Sequence, residues 1–290
     1  MLMAGYIDQK KDEWSGQVAA ARTKDRSQYP GGPSASPAIL ATYARLINSA
    51  IAGKQAFTAC VLGATPELRD MVLERGGNLT TLDISDEMIA KCAPLMRHQE
   101  NTRETVRIAS WLDASLPAAA FDLVLGDGAS NNIPPDKQTE FFANLRRLLR
   151  PGGTLVLREG VIHPDRPVRT VAEISREFDE GGAHWFDTFY DLYLYSELTP
   201  RYRDPETSRT NLGAFWEEIR QARESGGLGQ AAFEAMWWFR GKIIHTIYLK
   251  PELEKLMAGH FFLSPVAPDP DHLRMTKDSW LFFAGRPRNP

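Results

Sequence analysis

The sequence predicts an α/β fold: a doubly wound, mostly parallel sheet of seven strands with a helical insertion between strands five and six. Three observations predict it. Short apolar runs alternate with helix-length amphipathic segments between residues 57 and 158, as in a parallel sheet covered on both faces. The run Ala59-Cys60-Val61-Leu62 stops at Gly63 and breaks at once into a helix start, while the next run stops at Asp83. A strand, a tight turn, a helix and a strand ending in an acid make the first half of a mononucleotide-binding unit. Between 163 and 249 the periodicity turns helical, before two further strand-like runs.

Residues 1–36 are polar and include the breaker-rich run 29–34. A helix is expected from 37 to 52, with Ile39, Leu40, Tyr43, Leu46 and Ile47 at helical spacing. The first strand covers 57–62. Thr65 suits an N-cap and Pro66 a first helical residue, because its fixed φ fits and its missing N–H is not needed there. That helix carries Leu68, Met71, Val72 and Leu73 and stops at Gly76-Gly77. Strand two spans 78–83. The next helix opens at Ser85, with Asp86 and Glu87 in its first turn, and Pro94 kinks or ends it.

Strand three, 105–109, leads into Ser110-Trp111-Leu112-Asp113, and strand four, 121–125, into Gly126-Asp127-Gly128. Pro134-Pro135 introduces a helix whose apolar face is Phe141, Phe142, Leu145, Leu148 and Leu149. It ends at Pro151-Gly152-Gly153, and strand five occupies 154–158. Four helix-like stretches follow, 166–180, 184–198, 207–224 and 229–249, with no convincing strand among them. A helix at 251–258 and strands at 260–265 and 279–284 complete the chain. The implied organisation is an N-terminal helical segment (1–52), a core (53–162 with 250–290) and a helical cap (163–249).

Composition narrows the function. At 290 residues, 43% apolar and 24% charged, the chain is an ordinary soluble domain with room for one sizeable insertion. A net charge of −3 gives no electrostatic footprint for nucleic acid. The basic cluster Arg146-Arg147 with Arg150 suits a helix C-terminus. No apolar run is long enough for a membrane span, and Asp8, Asp12 and Glu13 interrupt any signal-peptide core. Cys60 and Cys92 lack metal-ligand spacing, so no metal and a reducing, cytoplasmic setting are expected. Glu67 puts a negative charge in the first turn of its helix, which would repel a pyrophosphate and favours a phosphate-free ligand. With no G-x-G-x-x-G, a nicotinamide dinucleotide is disfavoured.

In this order and spacing, four pieces resemble the class I S-adenosylmethionine-dependent methyltransferases: Val61-Leu62-Gly63, Leu82-Asp83-Ile84-Ser85 with Met88-Ile89, Phe121-Asp122-Leu123-Val124, and Leu148-Leu149-Arg150-Pro151-Gly152-Gly153. The resemblance covers 55–161 and 250–286 and implies a Rossmann-like sheet with S-adenosyl-L-methionine as cofactor. One departure is plain: the family's first turn carries two or three glycines, whereas Ala64, Thr65 and Pro66 follow a single Gly63. Asp83, at the end of strand two, can accept both hydroxyl protons of a ribose. The resemblance places Gly63, Ala64 and Thr65 at the cofactor turn, and Ile84 and Met88 as walls beside the adenine. It places Ser110 and Trp111 at the adenine edge, and Asp127, Gly128 and Ala129 at the methionine portion. A carboxylate at Asp127 would draw the ligand's ammonium or sulfonium.

The expected activity is methyl transfer to oxygen, nitrogen or carbon of a small molecule. The alternative is a related fold that binds the nucleoside without transferring methyl, as a regulator, scaffold or non-methylating catalyst. A general base is optional, and His163, just after strand five, is the best-placed candidate. Trp185, Phe186, Phe189, Tyr190, Tyr193, Tyr195, Trp216, Trp237, Trp238 and Phe239 crowd the insertion. They read as a cap packing on itself, on the sheet or across a homodimer interface, or as an apolar lid over the acceptor. Asn132, Trp185 and Tyr190 are the candidate acceptor contacts.

Overall fold

A computed structural model describes residues 8–13, 36–112, 115–237, 240–266 and 278–288. The breaker run 29–34, Asp113, Trp238 and Phe239 lie outside the described residues. The sheet has seven strands: β1 (Thr58–Leu62), β2 (Asn78–Asp83), β3 (Glu104–Ile108), β4 (Phe121–Asp127), β5 (Leu149–Gly160), β8 (Phe261–Ser264) and β9 (Trp280–Pro287). Their order is β3-β2-β1-β4-β5-β9-β8, parallel from β3 to β5, with β9 antiparallel to β5 and β8 antiparallel to β9. Strand order reverses between β1 and β4, and ligands bind outside the carboxyl ends of the strands at such a point.

Helices cover both faces because the central strands are apolar on both sides. On one face lie α1 (Pro37–Ala50) and α2 (Pro66–Glu74), packed with Ile39, Tyr43, Ile47, Leu68 and Val72 against Leu123, Leu125 and Val156. Ser36 caps α1 by accepting from the Ile39 N–H (3.3 Å), with Pro37 as its first residue. The short α3 (Asp86–Cys92) is capped by Ser85 and passes into a 3-10 turn at Pro94. On the opposite face, α4 (Gln138–Leu148) seats Phe141, Phe142, Leu145 and Leu148, all fully buried, with α9 (Lys250–Ala258) contributing Leu253 and Met257. Two arginines of the basic cluster are engaged within the chain: Arg147 donates to the Leu116 carbonyl and Asn144, and Arg150 to Asp122.

The insertion contains α5 (Val171–Asp179), α6 (Trp185–Tyr195), α7 (Leu212–Glu224) and α8 (Gln230–Trp237). Two differences from the sequence reading appear here. A two-stranded antiparallel sheet joins β6 (Arg209–Asn211) to β7 (Ile244–Thr246), where only helix was expected. The last helix is described over Gln230–Trp237, and residues 240–249 are not helical, where helix was expected to reach 249. Three-residue strands carry too little alternation to register as a period, and the apolar run after Met236 mimics a continuing helix. The helical residues 8–13 are tied to this sheet: Lys10 donates to the Ile244 carbonyl (2.8 Å), and Glu13 accepts from the Ile244 N–H (3.2 Å).

Residues 186–195 are buried at every position, because α6 runs through the middle of an aromatic core. Phe189 touches Tyr193, Phe215 and Trp216 with ring centroids 5.5, 5.5 and 6.0 Å away. Such a ring cannot be removed without leaving a cavity. Phe189→Ala should therefore cost about 3–5 kcal/mol of stability, read by denaturant unfolding. A loss below about 1 kcal/mol would show that the insertion does not share one packed core.

Candidate cofactor and acceptor site

The chain leaves β1 through Gly63, whose φ of +96° is a conformation that a side chain disfavours. A Cβ there would meet the Trp111 ring at 3.7 Å and Asp83 Oδ2 at 3.9 Å. Three loops therefore converge on one small volume. They are joined at a single acceptor, the Leu82 carbonyl, which takes the Gly63 N–H (2.9 Å) and the Trp111 indole N–H (2.7 Å). Trp111 is thereby fixed edge-on to the turn, with its ring beside Gly63.

Asp83 ends β2 and is 9% exposed. Burial raises its pKa to about 6, and the N–H groups of Ser85, Ala64 and Ile84 oppose that rise by favouring the charged form. The Ser85 N–H donates to Oδ1 at 2.8 Å. Among the other expected cofactor residues, Ala64 is buried behind Gly63 and Thr65 occupies the N-cap position of α2. The Thr65 side chain makes no cap hydrogen bond, so its expected capping role is not taken up. Ile84 and Met88 are half-buried around the start of α3. Ser110 is buried, and its hydroxyl accepts from the Leu112 N–H (3.2 Å).

A second cluster forms where β4 and β5 end. Asp127 is not open to attract a cation from a ligand. Its carboxylate takes Arg158 Nε at 3.0 Å and Nη2 at 2.9 Å, with side chains 2% and 0% exposed. This bidentate pair is the satisfied form of two buried charges. Gly128 turns with φ +65°, and Ala129 is buried behind it. Asn132 donates to the Gly128 carbonyl (2.9 Å). Asn131 ties the turn to the Gly160 carbonyl and to the Thr246 carbonyl of β7, each at 2.9 Å. Glu159 points to this turn and accepts from the Ser130 N–H. Burial pushes its pKa to about 8, and neighbouring Asp127 adds to the rise.

The sequence reading missed three residues here. Arg158 was read only as the end of strand five. Its signal is a charge following Leu155-Val156-Leu157 in a strand buried on both faces, where an unpaired cation is not tolerated. Trp280 covers Gly128 and Gly160, which a Cβ would bring to within 3.1 and 3.4 Å of its ring. Tyr43, from α1, donates to the Gly126 carbonyl (2.9 Å). No local signal marks Trp280 or Tyr43, since both arrive from distant segments.

Tyr190 joins this cluster, with its ring edge-on to Trp280 at 5.7 Å and 79°. Trp185 is half-buried at the start of α6 and packs on His184 and Phe186. His163 is half-buried after β5, where its backbone N–H donates to Tyr195 Oη (3.0 Å). Its ring Nε2 is buried without a hydrogen-bond partner. Burial, then Lys250, lowers its pKa. The other histidines of the insertion are engaged within the chain: His184 accepts from the Phe186 N–H, and half-buried His245 meets Tyr193 Oη at 3.1 Å.

Among the described residues, no three His, Cys, Asp or Glu side chains are placed to hold a metal, and no helix is long and apolar enough to cross a membrane. Residues 63–153 match the family model described as a methyltransferase domain. A carboxy-S-adenosyl-L-methionine synthase from a Shewanella species is 29% identical over 130 residues, covering 39% of this chain and 47% of the relative. The chain thus spans about half the length of the curated relatives it matches. A Rhodobacter sphaeroides structure provisionally described as a Zn-dependent alcohol dehydrogenase overlays with TM-score 0.55 at 16% identity, covering 94% of this chain and 98% of that one. A Haemonchus contortus phosphoethanolamine N-methyltransferase, solved with S-adenosylhomocysteine, gives 0.50 at 15% identity over 96% of this chain and 61% of that one. At these identities the overlays speak for the fold, and the domain match speaks for residues 63–153. Residues 63–153 thus match a methyltransferase domain, set in a fold shared with the methyltransferase structure that overlays here.

Proposed function

We propose that the protein transfers a methyl group from S-adenosyl-L-methionine to a small-molecule acceptor. The observation that carries this is the meeting of Asp83, Gly63 and Trp111 at the carboxyl ends of the strands, beside the point where strand order reverses. The residues fit an adenosyl group. Asp83 offers a carboxylate to two ribose hydroxyls, Gly63 keeps side-chain bulk away from the turn, and Trp111, Ile84 and Met88 supply apolar surface for the base, with Ser110 at its edge. Ala64, Thr65, Gly128 and Ala129 complete the cofactor walls along β1 and β4. Glu67, in the first turn of α2, favours a ligand without phosphates.

The cofactor, when bound, supplies an electrophilic methyl on a sulfonium. The protein's part is to align an acceptor and take its proton if the acceptor carries one. His163, whose pKa is lowered by burial and by Lys250, is the proposed base. Tyr190, Trp185 and Asn132 line the acceptor side beneath the 163–249 cap, and that cap excludes water. Homodimerisation through the cap and a cytoplasmic setting for the two buried cysteines, which form no disulfide with each other, belong to the same reading. A second reading has its own support: the curated relatives are named for synthesis of carboxy-S-adenosyl-L-methionine, which points to use of the cofactor without methyl transfer. Mass spectrometry separates the two. Methyl transfer yields S-adenosylhomocysteine and a methylated acceptor, whereas the second reading yields a modified adenosyl compound and no methylated acceptor.

Calorimetry should show binding of S-adenosylmethionine and S-adenosylhomocysteine to wild-type protein; no binding by either, with the protein folded, refutes the proposal. Two hydrogen bonds to a charged acceptor are worth about 1.5–3 kcal/mol each, so Asp83→Ala should weaken S-adenosylhomocysteine about 100-fold or more. Retained affinity would remove Asp83 from the ribose site. The pH dependence has a definite sign. Asp83 must be ionised to accept the hydroxyls, and its pKa in the free protein is raised to about 6. Affinity should thus fall below pH 6, and binding near pH 6 should release protons into the buffer. The free fold behaves oppositely, because a raised acid pKa means that protonating Asp83 favours the folded state as pH falls from 6 towards 4. His163→Gln should lower turnover by about 10²–10⁴ with unchanged S-adenosylhomocysteine affinity. Unchanged turnover would show that no base is needed at that position.

A further inference from the structure

Arg158 is fully buried, and its donors are only partly used. A guanidinium carries five N–H groups in a fixed fork. Nε and Nη2 serve Asp127, while buried Nη1 has no partner of hydrogen-bonding geometry in the protein. Tyr43 lies within hydrogen-bonding reach of the Arg158 side chain, which opposes the rise of its pKa, while the Tyr43 hydroxyl donates its own proton to the Gly126 carbonyl. Leaving a buried charged donor unmade is costly, and a folded chain retains such a group where a ligand completes it.

The surroundings say which ligand. The Trp280 ring lies 5.1 Å from Arg158 Cζ, and Tyr190 of the insertion packs edge-on to that ring. The site is thus aromatic around one planar cation, which matches a carboxylate better than a spherical ion. Its position excludes the ribose end of the cofactor. Asp83 ends β2 and Arg158 lies in β5, three strand spacings away, about 14 Å. A nucleoside anchored at Asp83 leaves the β5 end for what lies beyond its sulfonium.

We propose that Arg158 Nη1 binds a carboxylate of the methyl acceptor, so that the substrate is an organic acid and Arg158, held in place by Asp127, selects it. This rests on the methyltransferase reading above. Two sources could supply the carboxylate, the acceptor or the cofactor's own methionine group, and the test separates them.

The test is calorimetry on protein saturated with S-adenosylhomocysteine, titrated with acetate, phenylacetate and benzoate and with the matching amides. At least one acid should bind about tenfold tighter than its amide, and Arg158→Lys, which keeps the charge but loses the fork, should reduce that preference to about twofold or less. No preference for any acid, or a preference that survives in Arg158→Lys, overturns the proposal. If Arg158→Lys weakens S-adenosylhomocysteine but leaves decarboxylated S-adenosylmethionine unaffected, the carboxylate is the cofactor's and the acceptor assignment falls. Failure of S-adenosylhomocysteine to bind wild type refutes the underlying reading instead. Should circular dichroism show that Arg158→Lys does not fold, the double variant Asp127→Asn with Arg158→Gln, which leaves no lone buried charge, must show the same loss of acid preference.

Discussion

Asp83 holds a carboxylate in an almost dry place, and the N–H groups of Ala64, Ile84 and Ser85 offset part of that burial. The constraint fixes more than one side chain. Ala64 belongs to the turn after β1, while Ile84 and Ser85 form the turn after β2, so the carboxylate sets the distance between two loops. The Leu82 carbonyl then adds the loop after β3 by taking Trp111. A ligand reaching this carboxylate meets a site whose parts already face one another, so little ordering is left for binding to impose.

The other end of the site depends on a different balance. Arg158 and Asp127 are buried together, and each would be a large cost without the other. Their pairing lets two charges sit at the ends of β4 and β5, under Trp280 and beside the insertion. Asn131 fastens the same turn to Gly160 and to β7, so the cap and the sheet edge cannot shift independently there. The charged pair, the asparagine staple and the aromatic roof make this end of the sheet rigid and mostly apolar, a setting that strengthens any polar contact made within it.

What the sequence revealed tracks how local each signal is. The sheet was legible because its strands are apolar runs punctuated by Gly63, Gly76-Gly77 and Pro151-Gly152-Gly153, and because Asp83 stops the second run. Gly63, Asp83 and Trp111 were each readable as candidates, and the structure brings these three together. The β6–β7 pair was not legible, since three residues cannot display a period of two. The pairing of Asp127 with Arg158 was not legible, because the partner lies 31 positions away and is set only by strand pairing. Trp280 and Tyr43 reach that cluster from opposite ends of the chain, where no spacing rule applies. The aromatic crowd of the insertion was visible as composition, but whether it formed a core or a lid depended on helix packing. The rings of α6 bury one another, and Tyr190, one of the candidate acceptor contacts, reaches the Trp280 ring.

The central claim is that Asp83 and its three surrounding loops form the ribose end of a cofactor site. A crystal structure of the complex with S-adenosylhomocysteine tests it most directly. The ribose hydroxyls should lie about 2.6–3.0 Å from the Asp83 carboxylate, with the base beside Trp111 and the sulfur directed towards the β4–β5 end. An adenosyl group bound elsewhere, or one that leaves Asp83 without a ribose contact, would contradict it.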